Sequence, residues 1–492
     1  MAEVRANGID GEQAMLIAKP RAPKVDIVES ILSRIGTGKY QYLCFFILGI
    51  GILADAAEVI AMSILNYVFT EVVWFRSLDD LQLMGVCIFI SVSAGNLCSG
   101  FLSDKYGRKK TFTCSTLAIF CSGILSVFAS SFTSFIISRV IFGFFAGILY
   151  PVSACFIAEI NEKTARAKYW LLNNLWWVIG ELFGIGVGHA LEVDKKGNNT
   201  WKPMIIWTCI PAFIAAVVCW NWLLETPRFA LLNNPDQGIQ ILDKMHECNK
   251  KAKLHLTSQE VRELEDWSDK RRRVKGKAPI KELFTSENLR NTICLIIVWF
   301  SLTLGYYGVM YMIPLASAAL KLESSPQETG IHYWDLLIPT FFELPALLVV
   351  NLVIENKRFG RRNTMIFSLL FASLSCLLGH IVSSQFVVFM SISRFFLQAA
   401  FCIVYLLTAE LFKTSCRGTA IGFIAGVSRV GGYIMPWMGI ALYEKDPTLP
   451  FVVFSLFLLV AAVALWVIDH DTVGSDLDTF EDDEDDHENL HK

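Results

Sequence analysis

The stretch Gly100-Phe-Leu-Ser-Asp104-Lys-Tyr-Gly107-Arg108-Lys109 closes a long apolar run, and 253 residues on from Gly107 the chain writes Gly360-Arg361-Arg362 after another. Outward from this stretch the echo continues. Arg139 opens an apolar run, and so does Arg394, 255 residues later. Glu159 and Arg166 stand seven residues apart, as do Glu410 and Arg417, and Gly180 and Gly431 each follow fourteen residues after the arginine; all three pairs are offset by 251. A fixed-period repeat of this length, built of apolar helices, is how a two-halved membrane transporter looks in sequence.

Composition agrees. Of 492 residues 54% are hydrophobic, 36 are Phe and only 18% are charged, with a mean hydropathy of +0.47. A soluble chain of this length would split into domains with far more charged surface. Here the charges bunch between apolar runs of about 18–25 residues, long enough for a bilayer core of about 30 Å. Twelve such helices fall near 41–64, 81–103, 111–130, 133–158, 168–191, 203–224, 291–320, 332–354, 364–382, 385–408, 417–441 and 449–468. The expectation is an all-α membrane protein of 12 transmembrane helices in two pseudo-symmetric six-helix bundles, 41–224 and 291–468. The polar stretch 225–290 between them carries Lys270-Arg271-Arg272-Arg273 and a helix-like pattern over 236–267, which suggests short amphipathic helices on the membrane surface. Residues 1–40 and the tail 469–492, with 11 Asp and Glu against one Lys, read as disordered.

Segments on the side of the N-terminus hold 34 Lys and Arg, those on the opposite side 6. The positive-inside rule then makes both termini and the central loop cytoplasmic. No cleavable signal peptide is visible, because residues 1–40 are polar and the first apolar run is too long. The 13 Cys lie scattered through apolar runs without metal-like pairing, so they read as small buried hydrophobes, and no cofactor is expected. Asn198-Asn199-Thr200, in a short loop on the far side, fits a glycosylation acceptor. Glu12, followed by Leu16 and Ile17, fits an acidic dileucine signal that sorting adaptors read, placing the protein in endosomes or vesicles as an alternative to the plasma membrane. No phosphate-cradling Gly-Lys-Ser loop and no paired nucleophile and base are present, which argues against an ATP-driven pump and against an enzyme.

Several charged residues interrupt the apolar runs. Asp55 and Glu58 lie midway along the first helix, three apart and so on one face. A carboxylate at the bilayer centre costs about 2.5–3.5 kcal/mol, and two together repel, which suits a proton carrier. The second half has Gly308 at the equivalent place of Asp55, so the pair is not part of the repeated frame. The alternative is a structural pairing with a buried arginine, Arg139, Arg394 or Arg429. Glu343, just before Pro345, and Glu181 are further membrane acids, with Arg429 the obvious cation for one of them. Among the aromatics Trp176, Trp177 and Tyr311, the pair Tyr306 and Tyr307 stands out, because Gly305, Gly308 and Pro314 loosen the helix where transporters break theirs.

At the cytoplasmic ends, Gly100 suits close helix contact and Gly107 a tight turn, while Asp104 and Arg108 suit pairing across a gate. The second copy is degraded, with Lys357 where the repeat of Asp104 falls. Arg139, spaced by fours from Gly143 and Gly147, opens the fourth helix, with Arg394 its counterpart in the tenth; the readings are a cytoplasmic gate or solute contact, or an arginine that merely snorkels from a helix terminus. Glu159 with Arg166, and Glu410 with Arg417, suit structural and gating work.

The pattern Gly-x-x-x-Asp-x-x-Gly-Arg-Lys over 100–109 resembles the cytoplasmic loop signature of the major facilitator superfamily. Within it the chain resembles the synaptic-vesicle-2-related branch, in Ala54-Asp55-Ala56-Ala57-Glu58, Trp177-Val-Ile-Gly180, Tyr306-Tyr307-Gly308, Glu343-Leu344-Pro345 and Arg429-Val430-Gly431. The resemblance implies two six-helix bundles around a central cavity, alternating access, and a small organic solute such as an organic or aromatic acid or a vitamin. In the related aromatic-acid proton symporters an Asp-x-x-Asp pair in the first helix is tied to coupling, and Asp55 with Glu58 matches that spacing with Glu substituted. The expected function is therefore proton-coupled secondary transport of a small organic solute across a lipid bilayer, with no part for nucleic acid. Rival expectations are a uniporter of a neutral solute such as a sugar, and a scaffold or receptor on a transporter fold.

Overall fold

The computed structural model describes residues 27–69, 78–193, 200–274, 280–286, 288–324, 332–353, 360–412 and 417–468. Glu12, Leu16, Ile17, Asn198, Lys357 and the acidic tail lie outside the described residues, as does the side chain of Arg417.

The N-terminal bundle is built of α2 (Lys39–Phe69), α3 (Leu78–Tyr106), α4 (Arg108–Val127), α5 (Phe132–Ile160), α6 (Lys163–Ala190) and α7 (Trp201–Trp222). α2 packs on α6 and α7, α3 on α5, and α4 on α5 and α7. Gly143 and Gly147 of α5 let α3 approach closely, since a Cβ on Gly147 would stand 2.1 Å from the Val92 carbonyl oxygen. Ahead of this bundle, α1 (Ile27–Ile35) buries Val28, Ile31, Leu32 and Ile35, the spacing of an amphipathic helix. That face docks on α9 (Pro235–Lys250) and α10 (Ser258–Val274), which with α8 (Pro227–Asn233) form the central connection. The expected disorder of residues 1–40 therefore fails from Ile27 onward.

The C-terminal bundle consists of α11 (Leu289–Ser324), α12 (Tyr333–Phe341) continued by α13 (Glu343–Val353), α14 (Arg361–Ile381), α15 (Phe386–Glu410), α16 (Arg417–Ser428) continued by α17 (Val430–Tyr443), and α18 (Leu449–Trp466). α11 packs on α17 and α18, α14 on α15 and α18, and α13 on α15. Among the described residues ten helices are long and apolar enough to cross a membrane. The other two of the twelve spans are α6, whose run contains Asn173, Asn174 and Glu181, and the interrupted α16–α17.

The break expected at Gly305 and Gly308 does not occur. α11 runs through them, and both glycines serve close packing on α18, with a Cβ on Gly308 falling 2.6 Å from the Phe454 ring. The interruptions lie instead at Phe342 and Arg429. At the first, Pro339 and Pro345 bracket the kink and each removes a backbone donor. The bundles meet through α2 on α11, α3 on α16 and α17, and α6 on α12 and α13.

Candidate functional site

Between the bundles lies a central cavity, lined by residues of both. Its walls are largely aromatic: Phe89, Tyr150, Trp177, Tyr306, Tyr307 and Phe401. Two opposite charges enter it from opposite halves, Asp55 from α2 and Arg429 from the interruption between α16 and α17. Arg429 donates from a terminal nitrogen to the Tyr307 hydroxyl at 3.2 Å. Among the described residues neither group has an ion-pair partner within 4.0 Å. The amides in the wall are mostly committed: Asn96 donates to the Val92 carbonyl, and Asn174 donates to Trp170 while accepting from Tyr150.

Away from the termini the halves are sealed by packed helices and by the Ser63 hydroxyl, which donates to the Met310 carbonyl at 3.0 Å. On the terminal side the rings of Tyr150 and Trp170 meet that of Tyr405 across the halves at 5.8 and 5.3 Å.

Behind the cavity wall Glu58 and Arg139, both fully buried, pair at 2.8 Å. Arg139 also donates to Ser126 at 3.0 Å and lies between the rings of Phe135 and Phe142. Thr208 and Cys209 donate to the other carboxylate oxygen of Glu58. All these partners belong to one half, so charge and hydrogen-bonding capacity are matched locally.

A third group spans the interface. Arg394 of α15 pairs with Glu343 of α13 at 2.7 Å and with Glu181 of α6 across the halves. The Tyr306 hydroxyl lies 3.2 Å from Glu181 and 3.4 Å from Glu343, and its ring stacks under the Arg394 guanidinium. Trp177 places its indole N–H 2.8 Å from both Glu181 and the Tyr306 oxygen.

At the terminal end Arg108 pairs with Asp104 and Glu159, each at 2.9 Å. Glu225 accepts from the backbone N–H groups of Arg108 and Lys109 and so caps α4. Burial raises the Glu225 carboxyl above its ordinary range, against the pull of those N–H groups. Gly107 has φ 96°, and a Cβ there would stand 2.2 Å from Glu225. Arg166 pairs with Glu29 of α1, which also accepts from Arg228 at 3.0 Å. The second half repeats one of these pairings, Arg361 with Glu410.

A family model described as Sugar (and other) transporter matches residues 42–483. The chain belongs to this family. It is 28% identical over 497 residues to a synaptic vesicle 2-related protein of Xenopus laevis, covering 96% of this chain and 87% of that one. It is 25% identical over 488 residues to organic cation/carnitine transporter 7 of Arabidopsis thaliana, covering 92% and 95%. Among solved structures, the partially occluded inward-open conformation of the xylose transporter XylE from E. coli superposes with a TM-score of 0.69 at 18% identity, covering 89% of this chain and 99% of that one. The chain is thus a multi-pass membrane transporter of the major facilitator kind, and not an enzyme.

In this transporter the residues singled out from sequence sort into different places. Asp55, Tyr306, Tyr307 and Arg429 reach the cavity, but Glu58 turns away to Arg139. Glu181 and Glu343 are served by Arg394 and not by Arg429. Arg139 and Arg394 are buried within the bundles and stand apart from the terminal cluster around Arg108. Among the described residues that cluster, Asp104 and Arg108 included, finds its ion pairs within the N-terminal half and not across a gate. Gly100 has open space where close contact was expected. Glu159 and Arg166 take separate partners, Arg108 and Glu29. Trp176 packs on Phe45 and Phe46, outside the cavity. Sequence reasoning passed over Tyr150, Asn174, Gln398 and Phe401; an amide inside an apolar helix was the available signal for two of them.

Proposed function

We propose that the chain is a proton-coupled secondary transporter of a small organic acid, with Asp55 as the coupling acid and Arg429 as the anchor for the solute carboxylate. The observation that carries this is the pair of opposite charges, unpaired with each other, in one aromatic-walled cavity. A guanidinium supplies forked donors for a carboxylate, and the rings of Phe89, Tyr307 and Phe401 suit a planar apolar body. An anionic solute would meet repulsion from an ionised Asp55, and a proton on Asp55 removes it. Binding of acid and proton then favour one another, which is symport. The Lys and Arg asymmetry supports termini in the cytoplasm. That orientation puts the ring contacts of Tyr150 and Trp170 with Tyr405 on the cytoplasmic side.

The test is uptake into liposomes containing the purified protein, with and without an imposed pH gradient, across aromatic acids, organic cations, zwitterions and sugars. Uptake of an acid that follows the gradient, and loses that dependence in Asp55→Asn, is the expected result. Uptake that ignores both gradient and substitution would make the protein a uniporter. Uptake of cations alone, abolished in Asp55→Asn, would reverse the assigned roles of the two charges.

A further inference from the structure

The interface cluster sets one guanidinium against two carboxylates. Glu181 and Glu343 are fully buried and Arg394 is 1% exposed. With both acids ionised, one negative charge would remain uncompensated away from water, and a dry interior does not tolerate that. One shared proton removes it. Hydrogen-bond geometry decides where it resides. Tyr306 has a single hydroxyl proton, and its oxygen is closer to Glu181 than to Glu343, 3.2 against 3.4 Å. Trp177 is a donor only. Glu181 thus gathers donors from Trp177, Tyr306 and Arg394. The single Tyr306 proton cannot serve both acids at once; placed on the shorter contact to Glu181, it leaves the Tyr306 oxygen to accept from a protonated Oε2 of Glu343. The other ionisable groups facing the cluster are Tyr307 and Cys402, with Arg429 beyond Tyr307. On the neighbouring helices, Asp335 is held by Lys321 and Glu58 by Arg139.

Arg394 and Glu343 belong to the C-terminal half and Glu181 to the N-terminal half. We propose that this cluster is an internal proton switch, which moves one proton from Glu343 to Glu181 when the halves part. In the joined state Arg394 pairs with ionised Glu181 across the interface, and Glu343 is neutral. As the halves separate, Arg394 stays with Glu343. The Oε2 proton of Glu343 passes to the Tyr306 oxygen while the Tyr306 hydroxyl proton passes to Oε1 of Glu181. Neutral Glu181 then leaves with one half, and ionised Glu343 stays with Arg394 on the other. No charge is stranded in either state, and no proton is gained or lost. The switch needs no solute and is separate from Asp55.

Infrared spectra of the full-length protein in lipid nanodiscs test this, recorded in an Asp55→Asn background to remove the cavity acid's own signal. A protonated-carboxyl C=O band is expected there. It should disappear in Glu343→Gln and equally in Glu181→Gln, because one remaining carboxylate is balanced by Arg394 without a proton. Both variants are near-isosteric and leave matched charge, so folding is preserved. Absence of the band, or its survival in either variant, overturns the proposal. Distances between labels on the far-side ends of the two halves give an independent arm. Glu343→Gln would leave Arg394 alone in the parted state and should shift the population toward the joined form. Glu181→Gln removes the cross-interface pair and should shift it the other way. Shifts in the same direction also overturn the switch. Neither arm measures uptake, so a failure here is distinguishable from a failure of the transport reading.

Discussion

Arg139 and Arg394 occupy the same place in the repeat, one in each half, and they do different work. Arg139 finds one acid and one hydroxyl within its own bundle, Glu58 and Ser126, and is closed off. At the repeat positions of those partners the second half carries Tyr311 and Gly379, neither of which offers a charge on the matching helices. Arg394 therefore takes its counter-charge from α13 and, across the interface, from α6. A position kept by the repeat has become a structural clamp in one half and a link between halves in the other. The difference was made by the partners and not by the arginine.

Removing each arginine and then restoring charge balance probes that contrast most strongly. Arg139→Gln strands Glu58 in the interior and is expected to cost about 3–5 kcal/mol, read as a fall in unfolding temperature in detergent. Glu58→Gln in the same chain should recover most of it. Arg394→Gln should lose a comparable amount, but here the two acids are unequal. Glu181→Gln should restore more than Glu343→Gln, because Glu343 is the neutral member of the joined cluster. Equal rescue by the two would mean that Arg394 is merely a second copy of Arg139 with an extra acid nearby.

The repeat itself was legible because it records constraints that spacing can carry. Glu159 and Glu410 recur at a fixed interval, and both take up the arginine of the preceding loop, Arg108 and Arg361. Twelve apolar runs and the two-bundle fold were legible for the same reason. Partner choice across helices was not. Asp55 and Glu58 share a helical face at three-residue spacing, yet the rotation of α2 sends one to the cavity and the other to Arg139. Arg429 was the cation that sequence offered for Glu181 or Glu343; the packing of α15 against α6 gives Glu181 to Arg394 instead. Glu29 lay in a segment read as disordered, and nothing in its local pattern announces Arg166.

Where the repeat keeps the neighbours as well as the residue, the two halves should respond alike. Gly180 and Gly431 are such a pair. A Cβ on Gly180 would stand 2.3 Å from the Leu53 carbonyl oxygen of α2, and one on Gly431 would stand 2.6 Å from that of Phe300 in α11. Each glycine sets the approach of a helix to the first helix of its own bundle. Gly180→Ala and Gly431→Ala should each cost about 1–3 kcal/mol through forced displacement, with unfolding temperatures falling by similar amounts. A large inequality would show that the bundles are not equivalent even where the frame is kept.

The smallest effect concerns the last helix of each half. α18 is capped: the Asp446 carboxylate accepts from the backbone N–H groups of Thr448 and Leu449 at 2.7 and 3.1 Å and from the Thr448 hydroxyl at 2.6 Å. The N-cap threonines of the two helices, Thr448 and Thr200, make no side-chain cap themselves, and the residues just ahead of Thr200 lie outside the described ones. The Thr448 hydrogen bonds hold the Asp446 carboxyl below its ordinary value of 3.8. A depressed carboxyl contributes stability that is fully present above its unfolded value and is lost as pH falls through the folded one. Asp446→Asn keeps the shape and some accepting capacity but loses the charge, so at neutral pH its unfolding temperature should lie slightly below that of the parent. The gap should begin to narrow as pH falls below about 4 and close once it falls below the depressed folded value, where the parent carboxyl is protonated too. A gap that persists in acid would mean that the cap acts through shape alone.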